Sequence, residues 1–375
     1  MGFDVLEVQI LGESHSEEMT LGLFGLTKGS KFSGDGVLDM LGRRKSSNSP
    51  WSTPRIENDE AVFSCGLVEN KSGEVALERG KTYEISGVVS AHVKNENAKP
   101  KDYENVNVVP RPSHADYVQY VKDGRIASGG GRFSGRMTTM LCVAGGIAED
   151  ILRAHGIEVV AYASSVGDFE IMTYKDGADV KGFDEKQIEK LKSEAVCEDK
   201  RAEVENLVKD VASRGDSVGG TIECVVLGVG AGTLGDNLFD GLESKIAYSV
   251  FGVPAVKGIE FGWGFDLAKS NGSEANDGFV LKAGKVRTET NKSGGINGGI
   301  ANGMPITLRV AIRPTPSISI EQKSVNLETN TPCALEVKGR HDACIVPRAV
   351  PCVESAVALA VLDELLKQQL AKETF

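Results

Sequence analysis

Apolar and polar positions alternate over residues 1–12 and 20–26, and again over 60–68 (EAVFSCGLV) and 82–94 (TYEISGVVSAHVK). A period of two turns one side of each segment toward a core, so these stretches read as strands. Residues 95–110 are polar and charged and read as a loop. The period then changes. In TTMLCVAGGIAEDILRAHG (138–156), Leu141, Ala144, Ala148, Ile151 and Leu152 share a helical face, and Gly156 stands where a helix stops. Between 183 and 215, Ile188, Leu191, Val204, Leu207, Val208 and Val211 recur at helical spacing, which predicts two amphipathic helices.

Strand patterns return at 221–230 (TIECVVLGVG), 256–265 (VKGIEFGWGF) and 304–312 (MPITLRVAI), with a helical stretch at 241–251 between the first two. The run 353–372 (VESAVALAVLDELLKQQLAK) closes the pattern as a helix. Antiparallel-like strands mixed with long helices predict an α+β fold without a dinucleotide-binding β-α-β fingerprint. GGGRFSG (129–135) and GGINGGIANG (294–303) each precede an apolar segment, an echo that leaves an internal duplication open.

Composition narrows the class. A chain of 375 residues that is 41% hydrophobic can bury a large core. It has no apolar run of about 18 residues, so no membrane span is expected. The start, MGFDVLEVQILGESH, lacks the basic and apolar regions of a signal peptide. Seven cysteines, with no C-x-x-C, read as reduced thiols in a cytoplasmic protein and not as a metal site. A net charge of −11 argues against nucleic acid as a partner. The cations nevertheless gather beside Gly, Ser and Pro, at 43–45, 111, 129–132, 136, 313 and 340, as an anion pocket in an acidic body would have them. Glycine, 44 residues or about 12% against a usual value of about 7%, is clustered where backbone approaches closely.

Five motifs carry candidate chemistry. RPSHADYVQY (111–120) puts Arg111, His114 and Asp116 within six positions. It is either a capped turn or a cation with an imidazole. GESH (12–15), taken as extended, puts Glu13 and His15 on one face and Ser14 on the other, so Ser14 and His15 do not pair. GGGRFSGRMT (129–138) offers backbone amides, Ser134, Arg132 and Arg136 just before a helix start, a favourable place for an anion. It matches neither nucleotide-binding glycine motif. RPTPS (313–317) is a proline-stiffened turn with one cation and two hydroxyls, and GRHD (339–342) holds Arg340, His341 and Asp342.

Taken together and in order, GESH, RRK (43–45), KDYENV leading to RPSHAD (101–116), GGGRFSGRMT, DSVGG (216–220), AVKGIEFGWGF (255–265), GGINGGIANG, RPTPS and GRHD resemble the chorismate synthase family over almost the whole chain. The resemblance implies one catalytic domain over 1–375, folded as a β-α-β sandwich. It implies an anti 1,4-elimination of phosphate from 5-enolpyruvylshikimate 3-phosphate to chorismate. It also implies reduced FMN as cofactor, with NADPH as a source of reducing equivalents in some members, and a homotetramer.

Carried over by motif, His15, His114 and Asp342 are the catalytic candidates. His15 would lie by the leaving phosphate as a proton donor, His114 by the N1/C2 edge of the flavin, and Asp342 where it helps the flavin N5 take the substrate proton. Arg132, Phe133, Ser134, Ala255, Gly298, Arg313, Pro314, Thr315, Pro316, Ser317 and Arg340 would contact FMN. Arg44, Lys45, Arg55, Arg111 and Arg136 would contact the substrate, whose phosphate and two carboxylates suit guanidinium forks. Asp116 is assigned a structural part. The chain departs from the family pattern at Ser16, Lys45, Pro50, Met137, Pro254 and Arg313, with Arg55 placed to compensate for Pro50. Two other functions remain: a flavin- and anion-binding protein without turnover, and an NADPH-dependent flavin reductase.

Overall fold

The computed structural model describes residues 5–45, 58–95, 108–174, 183–337 and 341–374. Arg55, Pro50, Arg340 and most of the expected 95–110 loop lie outside the described residues. Two antiparallel sheets enclose a double layer of helices. The first sheet holds β1 (Glu7–Leu11), β2 (Glu18–Phe24), β6 (Thr82–Lys94), β4 (Val62–Leu67) and β5 (Val75–Ala76) in that order, with β3 (Lys31–Ser33) also on β6. The second runs β10 (Val256–Phe261), β15 (Ile306–Ile312), β9 (Gly220–Leu227), β7 (Glu158–Val166), β8 (Phe169–Glu170). Three hairpins stand apart: β11 (Phe279–Lys282) with β12 (Lys285–Thr288), β13 (Ile296–Asn297) with β14 (Ile300–Ala301), and β16 (Gln322–Asn326) with β17 (Thr331–Leu335).

The alternating segments form strands as expected, and β6 matches its predicted range. Strand β7 was not predicted. It is buried along nearly its whole length, so its sequence shows a continuous apolar run and no alternation. One side of it meets the central helices, and on the other Val160 and Tyr162 pack with Leu191 of α4 (Glu185–Ser193). The second amphipathic helix, α5, spans Glu198–Ser213.

Helix α1 (Gly34–Arg44) was also missed, because three glycines in eleven residues weaken its helical signal. The expected strand at 256–265 ends at Phe261 and turns into a 3₁₀ segment, Gly264–Lys269. The final helix, α7, is Val346–Thr374 and starts seven residues earlier than expected. Pro347 sits in its first turn, where a missing N–H costs nothing. Pro351 loses a single helical hydrogen bond, and residues around it are buried.

The helices form the centre. Helix α3 (Thr138–Ala154) packs on the first sheet, α7 on the second, and the two pack on each other. Gly145 and Gly146 make this possible. A Cβ on Gly145 would stand 2.2 Å from the Ser355 side chain of α7, and one on Gly146 would stand 2.7 Å from Val37 of α1. Buried Asp363 of α7 accepts the amides of Val5 and Leu6, both at 2.8 Å, and so ties the last helix to the first strand.

The topology repeats. In order, β1, β2, α1, β4, β6 and α3 form one unit, and β7, β9, α6 (Leu242–Val250), β10, β15 and α7 form another. In both, the fourth strand lies between the second and the third, and every neighbouring pair is antiparallel. The duplication is therefore real in topology, but the glycine echo does not mark it. GGGRFSG lies between the fourth strand and the closing helix, whereas GGINGGIANG lies between the third and fourth strands. The corresponding connections are 95–137 and 313–345. They carry Arg111-Pro112-Ser113 and Arg313-Pro314-Thr315.

Candidate active site

Those two connections meet. Arg111 donates through Nη1 to Ser317 Oγ at 3.1 Å, and Arg313 donates through Nη1 to the Ser113 carbonyl at 2.5 Å. The stretch 111–116 is both a turn and a charge cluster. Asp116 opens α2 (Asp116–Asp123) and is fully buried. Its carboxylate accepts from Arg111 Nε at 2.7 Å, Arg111 Nη2 at 2.8 Å and the Arg111 amide at 3.0 Å. It also lies 2.5 Å from His114 Nδ1. Burial alone would raise the Asp116 pKa, but hydrogen bonds from Arg111 and His114 outweigh it and hold the group well below the ordinary carboxylate range. An ionised carboxylate only accepts, so His114 Nδ1 must carry the proton in this contact. Arg111 Nη2, 3.2 Å from the same nitrogen, then faces another donor and makes no hydrogen bond to it. His114 is left with Nε2 turned toward the glycine loop, where a Cβ on Gly130 would stand 3.3 Å from it.

GESH is a turn, not a strand, which corrects the expectation that Ser14 and His15 point apart. Gly12, at φ +109°, ends the extended chain. Ser14 Oγ lies 3.0 Å from His15 Nδ1 and 3.2 Å from the Ser128 carbonyl. A hydroxyl has one proton, so it donates to the carbonyl and accepts from Nδ1–H. Ser14 thus fixes the imidazole and, being buried, is no free nucleophile. The Ser14 amide binds the Gly131 carbonyl at 3.2 Å. A Cβ on Gly129, at φ +62°, would stand 2.1 Å from the His15 ring. Successive glycines therefore lie against His15 and His114: at 129 the imidazole leaves no room for a Cβ, and at 130 a φ of +88° favours glycine.

A second arginine pair lies at the start of α3. Arg43 forks onto Glu354 of α7 at 2.5 and 2.9 Å, which fixes the end of α1 and turns Arg44 inward. Arg44, buried, donates to Thr138 Oγ1 at 2.9 Å and to Asp59 Oδ2 at 3.0 Å. Arg136, also buried, donates through Nη1 to the other Asp59 oxygen and to Thr139 Oγ1, the latter at 3.1 Å. Its Nε donates to Asn95 Oδ1 at 3.1 Å, and Asn95 Nδ2 holds the Ser16 carbonyl at 2.8 Å. Arg348 links this group to Asp342, donating to the Asp342 carboxylate at 2.6 Å and to the Arg44 carbonyl at 3.3 Å.

The structure thus brings His15, His114, Arg44, Arg111, Arg136, Arg313, Ser317 and Asp342 into one connected region. Among the described residues, Thr315 Oγ1 and His341 Nε2 are buried there with no hydrogen-bond partner. Burial pushes the His341 pKa down, and the Arg111 charge adds to this. Other expected residues stand differently. Arg132 pairs with Asp123 at 2.8 Å and stacks over Phe133, which is partly exposed. Ser134 caps the next turn, accepting the Arg136 amide at 3.3 Å. Lys45 is half-buried and ends α1. Ala255 holds φ +73°, unusual for a residue with a Cβ, and its carbonyl accepts the Arg313 amide at 3.0 Å. Pro314 and Pro316 stiffen the turn beside it. Gly298 sits on the β13–β14 hairpin, which bonds to Gly232, Leu234 and Leu242.

Sequence reasoning missed Asp59, Asn95, Thr138, Thr139 and Arg348, and named His341 without giving it a role. Asp116 had a visible signal: a carboxylate two residues past a histidine and five past an arginine.

Imidazoles and clustered guanidiniums gathered on the loops of a two-sheet α+β fold suit an enzyme that acts on a small anionic molecule. The comparisons make this specific. The chorismate synthase family model matches residues 6–366. Chorismate synthases from Methanothermobacter thermautotrophicus and Parabacteroides distasonis are 38% and 39% identical to the chain. Each alignment covers 99% of this chain, with 95% and 99% of the respective relative. A crystal structure of chorismate synthase superposes with a TM-score of 0.72 at 23% identity, covering 98% of this chain and 93% of that one, and so shares the fold. The chain belongs to the chorismate synthase family, whose members are lyases.

Proposed function

We propose that the chain removes phosphate from 5-enolpyruvylshikimate 3-phosphate by an anti 1,4-elimination, giving chorismate, with reduced FMN beside the substrate. The observation that carries this reading is the glycine loop lying against His15 and His114, within reach of two arginine clusters. The residues fit a flavin. Gly129 and Gly130 let the loop backbone lie directly against His15 and His114, and Thr315 Oγ1 and His341 Nε2 are buried polar atoms with no hydrogen-bond partner among the described residues. Arg313, Thr315 and Ser317 would hold the cofactor, with the backbone of 129–134 and Ala255. Arg132, Phe133, Pro314, Pro316, Gly298 and Arg340 complete the expected set.

Reduced FMN, when bound, would supply electron density for breaking the C–O bond with no net change in its oxidation state. The remaining work falls to the chain. Arg44, Arg111 and Arg136, with Lys45 and Arg55, grip the substrate's phosphate and carboxylates. His15, held at Nδ1 by Ser14, presents Nε2 as the proton donor to the leaving phosphate. His114, held by Asp116, presents Nε2 to the flavin edge. Asp342, held by Arg348, supplies a carboxylate toward which the substrate proton moves.

The same reading carries one catalytic domain over 1–375, a cytoplasmic homotetramer, and NADPH as a possible electron source for the flavin. Exposed Leu238, Phe239, Phe265, Phe279 and Leu281 support subunit contacts. Among the described residues no helix is long and apolar enough to cross a membrane. Titrating FMN fluorescence tests the cofactor assignment. FMN should be quenched on binding, and substrate should tighten it several-fold by filling the neighbouring cationic pocket. No quenching with or without substrate removes the flavin from the account.

A further inference from the structure

Asp59 has no place in the expected site, yet it joins the two arginines at the start of α3. It is 2% exposed. One carboxylate oxygen accepts from Arg44 at 3.0 Å and the other from Arg136. The two guanidiniums come from different elements, the end of α1 and the turn before α3, so neither element alone fixes their spacing. A carboxylate that bridges them does, through charge-assisted bonds to both. Each arginine is also held on another side, Arg44 by Thr138 and Arg136 by Thr139 and Asn95.

We infer that Asp59 is a positioning residue: it locks Arg44 and Arg136 into one oxyanion clamp and sets the clamp's charge at one net positive unit. The inference rests on the proposed elimination for its kinetic part only. The charge matters in its own right. Two unbalanced buried guanidiniums would hold any phosphate tightly and in many poses. The bridged pair keeps a graded attraction and one geometry, which is what an elimination that must release phosphate needs.

The test uses two variants and two readouts. Inorganic phosphate binding is measured by calorimetry on the full chain without flavin, and turnover is measured with reduced FMN. D59N removes the charge, so phosphate should bind about ten-fold tighter, the change that about 1.4 kcal/mol gives. Turnover should fall on the order of 10-fold to 10²-fold as the guanidiniums lose their spacing. A residue that only supports the fold would lower the melting temperature and weaken phosphate binding together, and that result overturns the inference. D59E keeps the charge and moves it by one methylene. It should leave phosphate affinity within about two-fold of the parent and still lower turnover. If D59N does not fold, D59E decides alone: unchanged turnover there overturns the positioning role. Because phosphate binding needs no catalysis, a chain without elimination activity still reports on the clamp. Tighter phosphate in D59N with no turnover in the parent would fault the proposed reaction and not Asp59.

Discussion

Replacing His15 or His114 by alanine lowers turnover on the order of 10²-fold to 10⁴-fold, the scale of a lost proton-transfer group. The two losses differ in kind because the rings are held differently. His15 is held at Nδ1 by Ser14, 3.0 Å away, and Nε2 is the nitrogen proposed to meet the leaving phosphate. A phosphate placed there favours the imidazolium through its charge. His15→Ala should therefore spare flavin affinity and slow phosphate departure, read as slowed transients in anaerobic single-turnover spectra. His114 is fixed by Asp116 at 2.5 Å. His114→Ala should alter the spectrum or the protonation of bound reduced FMN itself. A purely structural role gives another pattern, a lower melting temperature with normal turnover per folded molecule. Melting curves beside single-turnover rates separate the two, and unchanged rates in both variants leave the mechanism without its proton carriers.

Replacing Asp116 by asparagine destabilises the fold by about 3–5 kcal/mol, the usual cost of breaking a buried ion pair from one side. Asp116 and Arg111 are both almost wholly buried, and Arg111 would keep its charge without the carboxylate that forks it. His114 would lose its fixed tautomer in the same step, so turnover falls as well. The pH dependence identifies the cause. The folded-state pKa of Asp116 is held below its unfolded value. Its stabilisation is thus complete above the unfolded carboxylate pKa, about 4, and is lost as pH falls below that toward the lower folded value. Melting temperatures of parent and D116N should stand apart at neutral pH and converge in strongly acidic solution. A gap that persists unchanged below about pH 3 points to packing and not to the ion pair.

Much of this was legible in the chain, for identifiable reasons. Strands β6 and β15 each bury one face, so their sequences alternate, and α3 carries a clear apolar stripe. Strand β7 is buried on both faces and α1 is glycine-rich, so each lost the periodic signal that would reveal it. Read as extended, GESH separates Ser14 from His15; the turn at Gly12 brings them together. The arginines were visible because they sit among glycines and prolines. Their partner Asp59 was not, because it stands 15 residues from Arg44 and 77 from Arg136 and only folding brings the three together. The Arg-Pro-Ser and Arg-Pro-Thr triplets were plain in the sequence. Their equivalence needed the repeated strand order, which shows them on matching connections.

The most direct test of the proposed activity is product release from 5-enolpyruvylshikimate 3-phosphate under anaerobic conditions with photoreduced FMN. Inorganic phosphate and chorismate should appear in equal amounts over many turnovers while the flavin stays reduced. Absence of phosphate release from a chain that demonstrably binds FMN, or oxidation of one flavin per product, contradicts the account.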